Sequence, residues 1–269
     1  MLRVEHLVKS FGGVKATRDV SIDFPAGSLT AIIGPHGAGK TTFFNLISGH
    51  IRPDGGKVVF DGRDIVGLSS LQTVRRGIGR AFQVASLFPS LTVREAMAAA
   101  VTSHRGGSWN ILARFPAAHL RDRVDEILEL MDLAPKHNVL SRNLSHGDQK
   151  LLDIALALAT EPKVLLLDEP TAGMGPDERW RMIGKVHRLW EAKRMTVLFI
   201  EHDMDIVFKI AQTIHVLKYG AVLAQGTPDE IRRNPDVIDA YLGTDHRLAE
   251  AVAEGQFGHQ PGHQPGIPA

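Results

Sequence analysis

The chain has 269 residues, with 31 basic and 30 acidic side chains, a formal net charge of +1 and no cysteine. That length suits one large domain or two small ones, and so even a charge balance supplies no broad basic field for nucleic acid. The absence of thiols excludes disulfides and thiolate metal sites, which fits the cytoplasm. The opening "MLRVEHLVKSFGG" lacks a secretory apolar core. No apolar run nears the ~20 residues of a bilayer span. A soluble chain is expected, with any membrane crossing left to another chain.

In chain order, "LTAIIG" (29–34) reads as a strand, 40–48 as a helix and "KVVFDG" (57–62) as a second strand. From about 86 to 150 the strand signal disappears. Helical spacing covers 93–101 and 119–132, with "HRGGSWN" as a flexible join, and resumes at 148–159. Then "KVLLLDEP" (163–170), a helix over 177–193, "MTVLFIEH" (195–202), a helix over 203–211 and "IHVLKYG" (214–220) follow. The middle strands are apolar at consecutive positions, as strands covered on both faces of a parallel sheet are. This predicts an α/β core with a helical insertion. The closing "GHQPGHQPGIPA" (258–269) carries a Gly/Pro-rich tandem. It reads as a solvated, disordered tail, within which His259 and His263 are potential metal ligands.

"GPHGAGKT" (34–41) fits G-x-x-x-x-G-K-S/T and lies between an apolar strand and a helix, the setting that motif needs. Gly34, Gly37 and Gly39 allow the backbone to curl so that N–H groups point inward. The helix start adds positive potential. Lys40 can reach β- and γ-phosphates, and Thr41 can offer a hydroxyl to Mg²⁺. Pro35, His36, Ala38 and Thr42 complete the loop, His36 as a spacer contributing backbone.

"VLLLDEP" ends a buried strand in two carboxylates. Ligands of open α/β sheets gather at carboxyl ends of strands. Asp168 can therefore hold Mg²⁺ through a water, leaving Glu169 to face an attacking water. His202, after "LFIE", is either a surface residue or a contact to the γ-phosphate. Gln83 lies where the core gives way to the insertion; an amide there can touch Mg²⁺ or the water.

A second helix-opening turn, "LSHGDQ" (144–149), precedes "KLLDIALALA". In this order the pieces resemble the nucleotide-binding subunit of ATP-binding-cassette transporters over about residues 1–245, with 246–269 as tail. The resemblance implies a P-loop NTPase fold: a RecA-like parallel sheet, an N-terminal antiparallel β subdomain, and a helical subdomain at about 86–150. It makes 34–41 the Walker A loop, Gln83 the Q-loop glutamine, "LSHGDQ" the signature, 164–169 Walker B and His202 the switch histidine. Phe11 falls where the family stacks an aromatic on adenine; the alternative is an ordinary core aromatic. Ser145, His146 and Gly147 would cap the γ-phosphate of ATP held by a second subunit. Ser145 would serve equally as a helix N-cap, and both roles are compatible.

His146 and Asp148 depart from the common Leu-Ser-Gly-Gly-Gln, and Gly175 stands where an aspartate is usual. Together with the closing 219–243, these departures resemble the ATPases of branched-chain amino-acid importers and their urea and short-amide relatives. The implied function is ATP hydrolysis, with ATP and Mg²⁺, that drives import. The implied partners are a second nucleotide-binding subunit and two transmembrane permease subunits. A solute-binding protein takes part indirectly, and nucleic acid does not. The chain would sit peripherally on the cytoplasmic face of the membrane. Leu87 and Phe88, in "VASLFPSLTV", would either receive a helix of the membrane subunit or belong to the core. Rival readings are a lipid or lipopolysaccharide exporter ATPase and a soluble, non-transport cassette.

Overall fold

The computed structural model of the chain describes residues 1–81, 88–104 and 118–242. A four-stranded antiparallel sheet comes first. It joins β1 (Leu2–Phe11), β2 (Val14–Phe24), β4 (Gly55–Phe60) and β5 (Arg63–Asp64) in the order β2-β1-β4-β5. Its strands alternate: Val20, Ile22 and Phe24 are buried while Ser21 and Asp23 between them are exposed. One face is therefore core and the other solvent.

The main sheet has six strands in the order β10-β9-β3-β8-β7-β6. These are β3 (Leu29–Ile33), β6 (Ile78–Ala81), β7 (Val164–Asp168), β8 (Thr196–Ile200), β9 (Thr213–Lys218) and β10 (Ala221–Gly226). All neighbours pair parallel except β10, which runs antiparallel to β9 at one edge. In β7, Val164 and Leu166 join the apolar layer shared with the antiparallel sheet, whereas Leu165 and Leu167 face the helices. A strand covered on both faces has no polar position to alternate with, which explains the unbroken apolar run.

Helix α1 (Lys40–Ile47) follows β3 and buries Phe43 and Phe44 in the layer between the sheets. Helix α2 (Ser70–Arg76) is held by a Ser69–Gln72 capping box and stops at left-handed Gly77. Helices α3 (Val93–His104), α4 (Ala118–Leu130) and α5 (His146–Leu158) pack against one another, and their apolar faces are continuous with the core under β7. Then come α6 (Pro176–Lys193), α7 (Met204–Ile210), α8 (Pro228–Arg232) and α9 (Pro235–Leu242). The strands expected at 57–62 and 163–170 end earlier, at Phe60 and Asp168. Asp61 and Glu169, which follow them, take left-handed φ of 47° and 49° and leave the sheet.

This topology positions the site. β3 lies between β9 and β8, and β7 is next to β8. In register, Ile33 pairs with Val216, Ile32 with Ile200, and Ile200 with Asp168. Whatever follows β3, β7 and β8 therefore emerges at one edge of the sheet.

Candidate nucleotide site

The loop between β3 and α1 takes its shape from the glycines. Gly34, Gly37 and Gly39 have φ of 149°, 76° and 98°. A Cβ on Gly34 would lie 2.0 Å from the Leu217 carbonyl oxygen, and one on Gly39 2.2 Å from that of Ala16. Those two glycines are required by close approach as well as by conformation. The Ala38 N–H donates to the Pro35 carbonyl at 3.1 Å, and the Ala38 carbonyl accepts from Gly220 N–H at 3.1 Å. Helix α1 opens on Gly39 with no side chain capping it, so its first N–H groups are free to hold an anion.

Lys40 is buried. Its Nζ donates to the carbonyls of Gly34, at 2.6 Å, and Pro35, at 3.2 Å. Burial lowers its pKa, while the charges of Glu169 and then Asp168 oppose that shift. Thr41 is exposed and Thr42 half-buried on the first turn.

Asp168 and Glu169 occupy different surroundings. The left-handed backbone at Glu169 swings its side chain away from the strand, and its N–H donates to the Ile200 carbonyl at 3.0 Å. The Asp168 side chain is 3% exposed and ion-pairs through Oδ2 with Arg80 at 2.9 Å. Its Oδ1 is buried and has no hydrogen-bond partner among the described residues. A buried acceptor without a donor suits a cation or a water bound to one. Asp168 therefore fits the Mg²⁺ expected of it, together with Thr41 and nucleotide oxygens.

The Glu169 side chain is 26% exposed and meets His202 Nε2 at 3.0 Å through Oε1. The His202 ring stacks on His36, with centroids 5.0 Å apart and planes 8° from parallel. His36, expected to contribute backbone alone, thus lays its side chain on His202. Beneath them Glu201, buried, accepts from Thr171 N–H at 3.0 Å, Thr171 Oγ1 at 2.7 Å and His202 N–H at 3.2 Å. It ties the turn after Glu169 to the turn bearing His202, and burial raises its pKa. Sequence reasoning missed both Glu201 and Arg80. A charge closing an apolar run was the available signal for Glu201; for Arg80 there was none.

At the second turn, Ser145 is the N-cap of α5. Its Oγ accepts from Asp148 N–H at 3.2 Å and donates to Asp148 Oδ2 at 2.6 Å. Lys136 pairs with the same carboxylate. Opposed by burial, these hydrogen bonds still leave the Asp148 pKa lowered. His146 Nε2 lies 3.1 Å from the Ala172 carbonyl oxygen. A Cβ on Gly147 would come 2.1 Å from Glu178 Oε1, so a side chain here would have to displace that carboxylate. No hydrogen bond among the described residues joins 145–147 to 34–42. Gly175, in place of the usual aspartate, is the N-cap of α6 and brings no side-chain cap.

Phe11, at the end of β1, is 48% exposed with the Lys9 ammonium 5.5 Å from its ring centroid. It is a surface aromatic and not part of the core. Phe88 is likewise exposed. Gln83 and Leu87 lie outside the described residues, as do His259 and His263.

Known proteins are similar to this chain in sequence and in fold. The ABC transporter family matches residues 17–172. The chain belongs to the ABC transporter family, as an ATP-binding cassette that hydrolyses ATP. The C-terminal family described as branched-chain amino acid ATP-binding cassette transporter matches residues 221–247, which hold β10, α8 and α9. The high-affinity branched-chain amino acid transport ATP-binding protein LivG of Salmonella typhimurium is 39% identical over 249 residues, covering 90% of this chain and 98% of that protein. In solved structures, the ADP conformation of the ABC transporter cassette MJ1267 superimposes with a TM-score of 0.80 at 32% identity, covering 90% of this chain and 98% of the other. The dimeric bacterial cassette MJ0796 does so with a TM-score of 0.72 at 26% identity, over 85% and 99%.

Proposed function

We propose that this cassette energises import of branched-chain or related hydrophobic amino acids, and that two cassettes close head to tail on two ATP molecules. The observation that carries the ATPase chemistry is the gathering of Lys40, Asp168, Glu169 and His202 behind β3, β7 and β8, with Glu169 and His202 3.0 Å apart. Similarity to LivG supports the solute class, and the dimeric form of MJ0796 supports the pairing.

In this reading Lys40 and the N–H groups at the start of α1 hold the β- and γ-phosphates, and Phe11 stacks on adenine. Thr41, Asp168 and Gln83 hold Mg²⁺, which when bound neutralises charge on the transferring phosphoryl group. Glu169 takes the proton of the attacking water, and His202 fixes the carboxylate and reaches the γ-phosphate. Ser145, His146 and Gly147 of the second subunit close over that phosphate. Positioning and charge stabilisation supply the rate, as phosphoryl transfer requires. No described helix is long and apolar enough to cross a membrane. Two permease subunits supply the span and dock near Phe88, a solute-binding protein delivers cargo, and the cassette sits peripherally on the cytoplasmic face.

Glu169→Gln tests the core of this reading. Hydrolysis should fall by roughly 10²–10⁴-fold, the usual worth of a general base, while ATP affinity holds and light scattering with ATP and Mg²⁺ reports a trapped dimer. Near-normal hydrolysis would remove Glu169 from the base role.

A further inference from the structure

Asp168 owes its orientation to Arg80, eighty-eight positions away in sequence. Arg80 Nη2 donates to Asp168 Oδ2 at 2.9 Å, and the two side chains are only 9% and 3% exposed. The other arm of the guanidinium is anchored as well: Nη1 donates to Asn45 Oδ1 at 2.6 Å and Ser48 Oγ at 3.3 Å. Its carbon lies 5.9 Å from the Phe44 ring centroid. Asn45 and Phe44 belong to α1, and Ser48 caps its end. One arginine thus joins the last residue of β7 to the helix that opens on the phosphate loop.

So dry an ion pair adds little net stability, because desolvation offsets the attraction. What it fixes is geometry. A guanidinium anchored through Nη1 to α1 and through Nη2 to Oδ2 restrains the carboxylate, leaving Oδ1 a buried acceptor without a partner among the described residues.

Building on the nucleotide-site reading above, we propose that Arg80 is a positioning residue for magnesium. It locks the Asp168 carboxylate so that Oδ1 is kept for the Mg²⁺ shell, and it couples that carboxylate to α1.

Magnesium titration of nucleotide binding tests this, with a fluorescent ATP analogue as probe. Groups that orient a metal ligand are worth about 10–100-fold in metal affinity. In Arg80→Ala the half-saturating Mg²⁺ should rise by at least about 10-fold, with affinity measured in EDTA unchanged. Arg80→Lys, a point charge without a fork, should recover part of the loss. An unchanged Mg²⁺ requirement overturns the proposal. So does a lowered one, since Arg80 would then act only as an opposing charge. Equal loss of binding with and without Mg²⁺ also overturns it, as that marks general damage to the loop. If Arg80→Ala does not fold, the double variant Asn45→Ala/Ser48→Ala decides, because it removes both anchors of one arm and spares the ion pair. A raised Mg²⁺ requirement is expected there, and none sinks the idea. Failure of the unsubstituted protein to bind the probe in either condition would instead strike the nucleotide-site reading itself.

Discussion

At α1 the helix opens on Gly39, with no side chain over its first N–H groups. At α5 it opens on Ser145, whose hydroxyl already serves Asp148, which Lys136 holds in turn. The first start is seated in the sheet, between buried Phe43 and Phe44 and the ends of β3 and β7. The second lies at the surface, with Ser145 and His146 exposed. The first turn has no side-chain cap, whereas at the second the Ser145 hydroxyl takes the Asp148 N–H. An anion site and a helix cap draw on the same set of backbone groups. What separates the two turns is that a side chain has already claimed one member of that set at α5 and none at α1.

Substitutions can break or sharpen that contrast. Lys40→Ala should have the largest effect. It removes a buried cation from the open turn, and nucleotide affinity should fall roughly 10–100-fold, as for a charged hydrogen bond of 1.5–3 kcal/mol. Equilibrium titration checks this, and unchanged affinity would dissolve the distinction between the turns. Ser145→Ala should act on the closed turn first as a lost cap. A cost of about 1 kcal/mol lowers the melting temperature by roughly 2–4 °C, while ATP binding by dilute monomer holds and hydrolysis at dimer-forming concentration drops. A melting shift with full hydrolysis would make the serine a cap and nothing more.

A pH-dependent effect tests the helix behind that turn. Burial pushes the Asp153 carboxyl up to about 7, against the charges of Lys150 and His146. Its folded pKa exceeds the unfolded one, so its contribution is present below pH 4 and lost as pH rises through about 7. Asp153→Asn should therefore raise the melting temperature at pH 8, by on the order of 5 °C, with the gain gone near pH 4. A gain that does not depend on pH would rule out ionisation as its cause.

Legibility in sequence followed the distance between partners. The phosphate loop, its strand and its helix lie within a few residues, so composition and spacing disclosed them. The central strands were visible because both their faces are covered. β1 was hidden by a register shift between Val4 and Leu7, where His6 takes a φ of 52° and breaks the alternation. β6 is four residues long and half polar or glycine. The capping box at Ser69 and Gln72 was a local signal for α2 that went unread. Arg80 with Asp168 could not be read at all: strand β6 pairs with β7 across the whole helical segment, and only the folded sheet brings them together.

The tie at Gly220 also bears on how the loop after β3 can move. That residue donates to Ala38 in the loop, and its carbonyl accepts from Arg18 in β2 at 2.6 Å. The loop after β3 is thereby tied to both sheets at once, so that any displacement of it must break backbone hydrogen bonds on each side.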